Sequence, residues 1–344
     1  MRCLVTGISG FAGSHLAEYL LSLGLPVFGI IRSHRSNFEN INHIKNNLTL
    51  YEADLTDRSA VDYVIKNFVG KFLYNEYLIF HLAAQSFVKE SFDMPLDTFN
   101  NNIIGTLNLL ESVRTIAPEI KILVIGSSEE YGYVYPDEIP ITENNPLRPM
   151  SPYAVSKVCC DMMAQEYSMR KVNPLRIVIT RGFNHSGKRR TEVFAESTFA
   201  KQIVERKLGI STGPILVGNL TAQRDITHVK DMVRGYYFAL TQCPSGEVYN
   251  ICSSYTISME DVLGKLQDVA GFKVDTEVDP SRLRPSDVPI LYGSAKKFQD
   301  VTGWKPEYNI DDICSDLIEY WTEKLSKNIA NTDMTIQIQE AHGG

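Results

Sequence analysis

Apolar positions fall into short runs that alternate with stretches of helical period. The first run, residues 3–5, leads into Gly7, Gly10 and Gly13, and an amphipathic segment follows. Residues 26–31, 48–53, 77–83 and 122–125 read as four further buried strands. Within 100–116, Ile103, Ile104, Leu107, Leu110 and Val113 recur at helical spacing. Strand and helix signals alternate in this way from residue 1 to about 185, which predicts an α/β fold with a doubly wound parallel sheet. After a strand at 177–180 the rhythm changes. A loop at 182–190 precedes helical patterns at 194–208, 229–240 and 259–270, with an irregular segment at 215–225 and a strand at 248–252. This predicts a smaller C-terminal lobe. The boundaries are 1–182 for the first domain, joined by roughly 225–255, and 183–327 for the lobe. The polar stretch 328–344 is expected to be a disordered tail.

Composition narrows the function classes. Hydrophobic residues are 44% and charged residues 22% of 344, which is ordinary for a globular chain. The 34 basic residues are outnumbered by 41 acidic ones, for a net charge of -7, which argues against nucleic acid as the main partner. The six cysteines form no C-x-x-C pair and no zinc spacing, so reduced thiols in a cytoplasmic protein are expected. No apolar run is long enough to span a bilayer and none reads as a signal peptide, so no membrane partner is expected.

Several residues carry chemistry. Glycines at 7, 10 and 13 between a strand and a helix suit a tight turn, close approach to a pyrophosphate, and packing of helix on strand. The helix N-terminus then offers N–H groups and a positive dipole end to the phosphates. No acid ends the second strand. Arg32 and Arg35 stand there and favour a 2′-phosphate, hence NADP; two solvated loop arginines are the alternative. Asp54 ends the third strand, where an acid can accept from an adenine amino group, whereas Asp57 reads as a helix N-cap. Ala83 and Ala84 would let the backbone pass close to a ligand. Tyr153 and Lys157 are four apart, so they share one helix face. An ammonium there is expected to lower the phenol pKa and make Tyr153 a base. A Tyr/Lys pair alone is common. With the glycine turn and Ser127 at the fifth strand end, a chance pair is the weaker reading.

Thr6-Gly7-x-x-Gly10-x-x-Gly13, Asp54, His81-Leu82-Ala83-Ala84, Ser127 and Tyr153-x-x-x-Lys157 together resemble the extended short-chain dehydrogenase/reductase family, over roughly residues 1–325. The resemblance implies a Rossmann-type domain binding NADP, with NAD as the alternative. The implied contacts are Thr6, Gly7, Gly10, Phe11, Ala12, Gly13, Arg32, Asp54, Leu55, Leu82, Ala83, Ala84, Tyr153 and Lys157. It also implies catalytic roles for Ser127, Tyr153 and Lys157. Within the family, the stretch 81–88, Phe183-Asn184-His185 with Arg189-Arg190, and Val217-Gly218-Asn219-Leu220 with Arg224-Asp225 resemble enzymes acting on GDP-mannose. That likeness implies a GDP-sugar held by Ser86, Asn184, Lys201, Val217, Asn219, Arg224 and Arg284. It implies that Glu129 removes the C5 proton, with Ser128 beside it.

Some stretches depart from the dehydratase pattern. Phe11-Ala12 stands where those dehydratases usually have Gln-Asp, and residues 126–131, 147–153 and 283–294 resemble the sister 4-keto reductase. The expectation is a GDP-manno-sugar 4,6-dehydratase, with the reductase as its alternative. A non-catalytic dinucleotide sensor is a third reading, against which the intact Ser127, Tyr153 and Lys157 set argues. Apolar stripes on 100–116 and 151–170, including Val155, Met162, Met163 and Tyr167, match helices that pair across a two-fold axis in the family. A homodimer or a dimer of dimers is therefore expected.

Overall fold

The computed structural model describes residues 1–33, 37–70, 76–283 and 288–342, with the backbone alone from 331. The first strands are β1 (Arg2–Thr6), β2 (Val27–Ile31), β3 (Leu48–Glu52), β4 (Tyr77–His81), β5 (Lys121–Ser127) and β6 (Arg176–Gly182). The helices α1 (Phe11–Ser22), α2 (Arg58–Val69), α3 (Val88–Asp93), α4 (Pro95–Phe99), α5 (Gly105–Ile116) and α6 (Pro152–Met169) connect them. Side chains alternate between faces along each strand. In β1, Cys3 and Val5 join the core under α1, while Leu4 joins the core under α2 and α5. Both faces are therefore covered, as parallel strands require. Asp57 caps α2 as expected, accepting the N–H groups of Ser59 and Ala60, and Ser151 caps α6 with Pro152 in its first turn.

The later elements are β7 (Asn184–Ser186), α7 (Ala195–Lys207), β8 (Ile215–Val217), β9 (Gln223–His228), α8 (Val229–Gln242) and β10 (Val248–Ile251). After them come β11 (Thr256–Ser258), α9 (Met259–Ala270), β12 (Thr276–Val278), β13 (Ile290–Leu291), α10 (Lys296–Thr302) and α11 (Ile310–His342). Among the described residues the main sheet has seven strands in the order β10-β6-β5-β4-β1-β2-β3. The chain thus leaves the sheet after β6 and returns to it, with α8 packing beside α1 and β10 pairing in parallel with β6. The irregular segment 215–225 resolves into β8, which pairs with β12, and the start of β9, which pairs with β7, β11 and β13. Helices α7, α9 and α11 enclose a separate core that includes Phe199, Ile203, Leu266, Leu317 and Trp321.

Two local findings differ from the sequence expectation. The helix expected over 100–116 opens with a π-helical turn at Asn100–Ile104. Asn102 is buried there, and its side chain accepts the Gln85 N–H and donates to the Gln85 carbonyl and to Ser156 Oγ. The extra residue in the turn lets this amide reach the loop after β4. At the other end, α11 continues as helix to His342, where a disordered tail is expected.

The lobe is tied to the first domain by Arg189. Its guanidinium donates to both carboxylate oxygens of Glu18 (2.8 and 2.6 Å) and to His15 Nδ1 (2.7 Å). His15 Nε2 then donates to the Lys188 carbonyl at 2.9 Å. Burial and the Arg189 charge depress the His15 pKa to about 4. No helix among the described residues is long and apolar enough to cross a membrane.

Candidate active site

A cavity of about 430 Å³ opens at the carboxyl ends of β1 to β6. One end is framed by Ile31, Arg32, Ala53, Asp54 and Leu55, and the opposite end by Ser127, Tyr153, Lys157 and Gly182. Gly7, Gly10, Phe11, Ala12 and Gly13 form the wall between. Gly7 has φ +68°, and a Cβ on it would lie 3.0 Å from Ala83 Cα. A Cβ on Gly13 would lie 2.2 Å from the Gly7 carbonyl oxygen, so only glycine packs there. No side chain caps α1, so its first N–H groups face the cavity. Arg190 also lines the wall, and its buried Nε makes no hydrogen bond. These donors suit a pyrophosphate.

Thr6 plays another part. It lies outside the cavity lining: its hydroxyl donates to His81 Nδ1 (2.9 Å) and accepts the Ala83 N–H (3.0 Å). His81 Nε2 in turn donates to Thr106 Oγ1 at 2.9 Å. Burial depresses the His81 pKa to about 3, so the ring is neutral. Thr6 therefore positions the β4 loop. Arg32 is largely exposed, with one guanidinium nitrogen 3.3 Å from Asn101 Oδ1 and Nε 3.9 Å from an Asp54 oxygen. Asp54 accepts both the N–H (2.9 Å) and the hydroxyl (2.8 Å) of Thr56. Leu55, Leu82, Ala83 and Ala84 line the cavity as expected. Arg35 lies outside the described residues.

At the opposite end Ser127 is the last residue of β5 and caps the tight turn Ser128–Glu130. Its Oγ accepts the Glu129 N–H at 3.2 Å, and its N–H donates to Glu130 Oε1 at 2.6 Å. Ser127, Ser128, Glu129, Tyr153 and Lys157 all line the cavity. Burial pushes the Tyr153 phenol above its usual pKa; a hydrogen bond with Ser127 and the Arg190 charge oppose that, and Glu129 adds to it. Lys157 Nζ donates to the Ile125 carbonyl at 2.7 Å, and Arg190 is among the charges that favour the phenolate. Burial itself lowers the Lys157 pKa.

Behind this end lies a buried charge cluster. Glu130 and Asp161 are fully buried and Arg181 is 4% exposed. Arg181 Nε donates to Asp161 at 2.8 Å and lies 3.5 Å from Glu130 Oε2. Burial, with the Asp161 charge next, raises the Glu130 pKa well above the usual carboxylate range.

Of the residues expected to hold a substrate, Ser86 and Asn184 line the cavity. Lys201 does not: it pairs with Glu192 and Glu205. Val217 is buried in β8, Asn219 accepts the N–H and hydroxyl of Thr221, and an Arg224 guanidinium nitrogen donates to the Gln223 and Val288 carbonyls at 2.8 Å each. These three also stand outside the cavity lining. Arg284 lies outside the described residues. His185 and Arg190, which the sequence marks only as parts of a motif, also line the cavity, as do Phe194 and Tyr236, which no sequence signal marks. Arg189 and Arg190 are adjacent in sequence, but Arg189 has φ +72° and turns to Glu18, whereas Arg190 stacks on Phe194 and faces Phe11.

Comparison with known proteins gives a consistent set. Residues 4–317 match the family described as GDP-mannose 4,6 dehydratase. The chain is 31% identical over 360 residues to the GDP-mannose 4,6-dehydratase of Yersinia enterocolitica, covering 92% of each chain. It is 29% identical over 324 residues to the GDP-6-deoxy-D-mannose reductase of Pseudomonas aeruginosa, covering 94% of this chain and 98% of the relative. The solved structure of RMD from Pseudomonas aeruginosa, complexed with NADPH, superposes with a TM-score of 0.80 at 28% identity, covering 94% of this chain and all of that one.

Proposed function

The chain belongs to the GDP-mannose 4,6-dehydratase family, and on that premise we propose that it is a nucleotide-sugar 4,6-dehydratase acting on GDP-mannose or a close relative. The observation that carries the reading is Glu129, a carboxylate on the cavity wall whose charge reaches the Tyr153 phenol. A dinucleotide is held by the Gly7–Gly13 turn, the α1 N-terminus and Arg190; Arg32 favours NADP over NAD. When bound, that cofactor supplies a hydride acceptor that is regenerated in each turnover. Tyr153 Oη takes the proton of the sugar C4 hydroxyl, and Ser127 Oγ donates to the oxygen that becomes the C4 carbonyl. Arg190 and Ser127 oppose in part the burial that disfavours the phenolate. The C4 ketone acidifies C5. Glu129 takes that proton, and Glu129 or Ser128 gives one to the C6 hydroxyl, which leaves as water; the hydride lost from C4 would then be gained at C6 while Glu129 returns its proton to C5, so the sugar loses one water and no oxidant is consumed. Asn184 and Ser86 orient the sugar; Asn219 and Arg224 take the nucleoside diphosphate beyond the cavity mouth.

Incubation with GDP-mannose and no added cofactor tests this. Loss of one water from the sugar, seen by mass spectrometry, is the expected result. Glu129→Gln should still oxidise C4 but lose elimination by about 10²–10⁴-fold, the usual value of one general base; elimination at the parent rate would remove the assignment. The second reading is 4-keto reduction at the same site, favoured by full-length likeness to the Pseudomonas aeruginosa reductase. Turnover of the 4-keto sugar with added NADPH, and none of GDP-mannose, would establish it. We further propose a homodimer or dimer of dimers through α5 and α6, where Val155 and Met162 remain exposed; a monomer by light scattering at micromolar concentration would exclude it.

A further inference from the structure

Tyr236 is a second phenol at the reaction end of the cavity. It comes from α8, on the sheet face opposite α6, and lines the cavity while being only 1% exposed. A Cβ built on Gly182 would lie 3.4 Å from its hydroxyl oxygen, which puts that oxygen at the carboxyl end of β6. Tyr153 and Arg190 are both near enough for their charges to act on it. Its hydroxyl makes no hydrogen bond to a described residue, unlike Tyr131, whose hydroxyl donates to Asn250 at 2.7 Å. A cavity-facing hydroxyl with no partner among the described residues can complete its bonding with a group of a bound ligand. The adenine end, at β2 and β3, is separated from Gly182 on β6 by β5, β4 and β1, so the ligand group that meets Tyr236 belongs to the part that must lie beside Tyr153 for hydride exchange. On a nicotinamide dinucleotide, the polar substituent at that part is the ring carboxamide, which can both accept and donate.

We propose that the Tyr236 hydroxyl anchors the nicotinamide carboxamide, fixing which face of the ring is turned toward Tyr153. The inference rests on the dinucleotide reading above. Tyr236 is then a positioning residue: it holds the ring, and Tyr153 moves the proton.

The test uses Tyr236→Phe and two ligands, NADPH and 2′-phospho-ADP-ribose, which lacks the nicotinamide. Phenylalanine fills the same space and leaves no partner unpaired, and a thermal melt checks that the variant folds. The variant should bind NADPH about 3- to 10-fold more weakly, the value of one neutral hydrogen bond, and bind 2′-phospho-ADP-ribose as the parent does. Unchanged NADPH affinity, or equal weakening for both ligands, would overturn the inference while leaving the dinucleotide reading intact. Failure of the parent to bind either ligand would overturn both.

Discussion

Glu130, Asp161 and Arg181 place two carboxyl groups and one guanidinium where water does not reach, with Lys157 as the next nearest cation. If Glu130 holds its proton, Glu130→Gln replaces a neutral group by a neutral group. Its amide oxygen can still accept the Ser127 N–H, and its NH₂ can donate to Asp161 in place of the acid proton. The folded-state pKa of Glu130 is raised, so its favourable contribution is full below the unfolded value near 4.5 and is lost as pH rises above it. The unfolded chain releases that proton while the folded one keeps it, which removes about 1.4 kcal/mol of stability per pH unit. The Gln variant lacks this loss. Its stability relative to the parent should therefore grow by about 1.4 kcal/mol per unit from pH 5 upward, for as long as folded Glu130 stays protonated. Removing the cation is another matter: Arg181→Met leaves a buried charge unpaired and should cost about 3–5 kcal/mol. Urea unfolding of parent and Gln variant at pH 5, 6, 7 and 8 measures the slope. A difference that does not change with pH would show Glu130 ionised in the fold, paired with Arg181 or Lys157, and would refute the reasoning.

Gly13→Ala drives a Cβ into the Gly7 carbonyl and should cost about 1–3 kcal/mol of stability by denaturant melt; Gly264→Ala, in α9 with no atom within 4 Å, should instead add about 0.5–1 kcal/mol. The unfolded His15 protonates near pH 6.5 and the folded one near 4, so stability should fall by about 1.4 kcal/mol per unit as pH drops through that window, and His15→Gln should flatten the fall measured by urea unfolding. Arg32→Ala should weaken NADP by about 1.5–3 kcal/mol, one charge-assisted contact, and leave NAD unchanged in a calorimetric titration; equal losses would end its assignment to the 2′-phosphate.

What the chain discloses without its fold is what periodicity and spacing encode. Strand runs, the glycine turn and the shared face of Tyr153 and Lys157 each depend on residues within one or two elements, and each is where the pattern puts it. The i, i+4 rule places Lys157 beside Tyr153 but does not say where its ammonium points; the Ile125 carbonyl decides that. Arg189 and Arg190 have the same chemistry, and a left-handed backbone at Arg189 sends one to α1 and the other into the cavity. Glu130 follows Glu129 directly, yet only the arrival of α6 and β6 buries it and raises its pKa. Asn219 and Arg224 show the converse: local motif likeness marks them, while their partners include Thr221 and the Gln223 and Val288 carbonyls.

The detour between β6 and β10 bears on how the chain is made. Until residue 251 has been synthesised, β6 is an edge strand whose inner hydrogen-bonding groups have no neighbour on one side. At ~5–20 residues per second, the stretch from Phe183 to Glu247 takes several seconds to emerge. For that interval Ile177 and Ile179 belong to an unpaired, apolar edge that a second nascent chain could extend. The first 182 residues are consequently a poor place to cut this protein: a fragment ending there carries the dinucleotide turn but keeps the open edge permanently, and also lacks the α8 helix that covers Leu16 and Leu20.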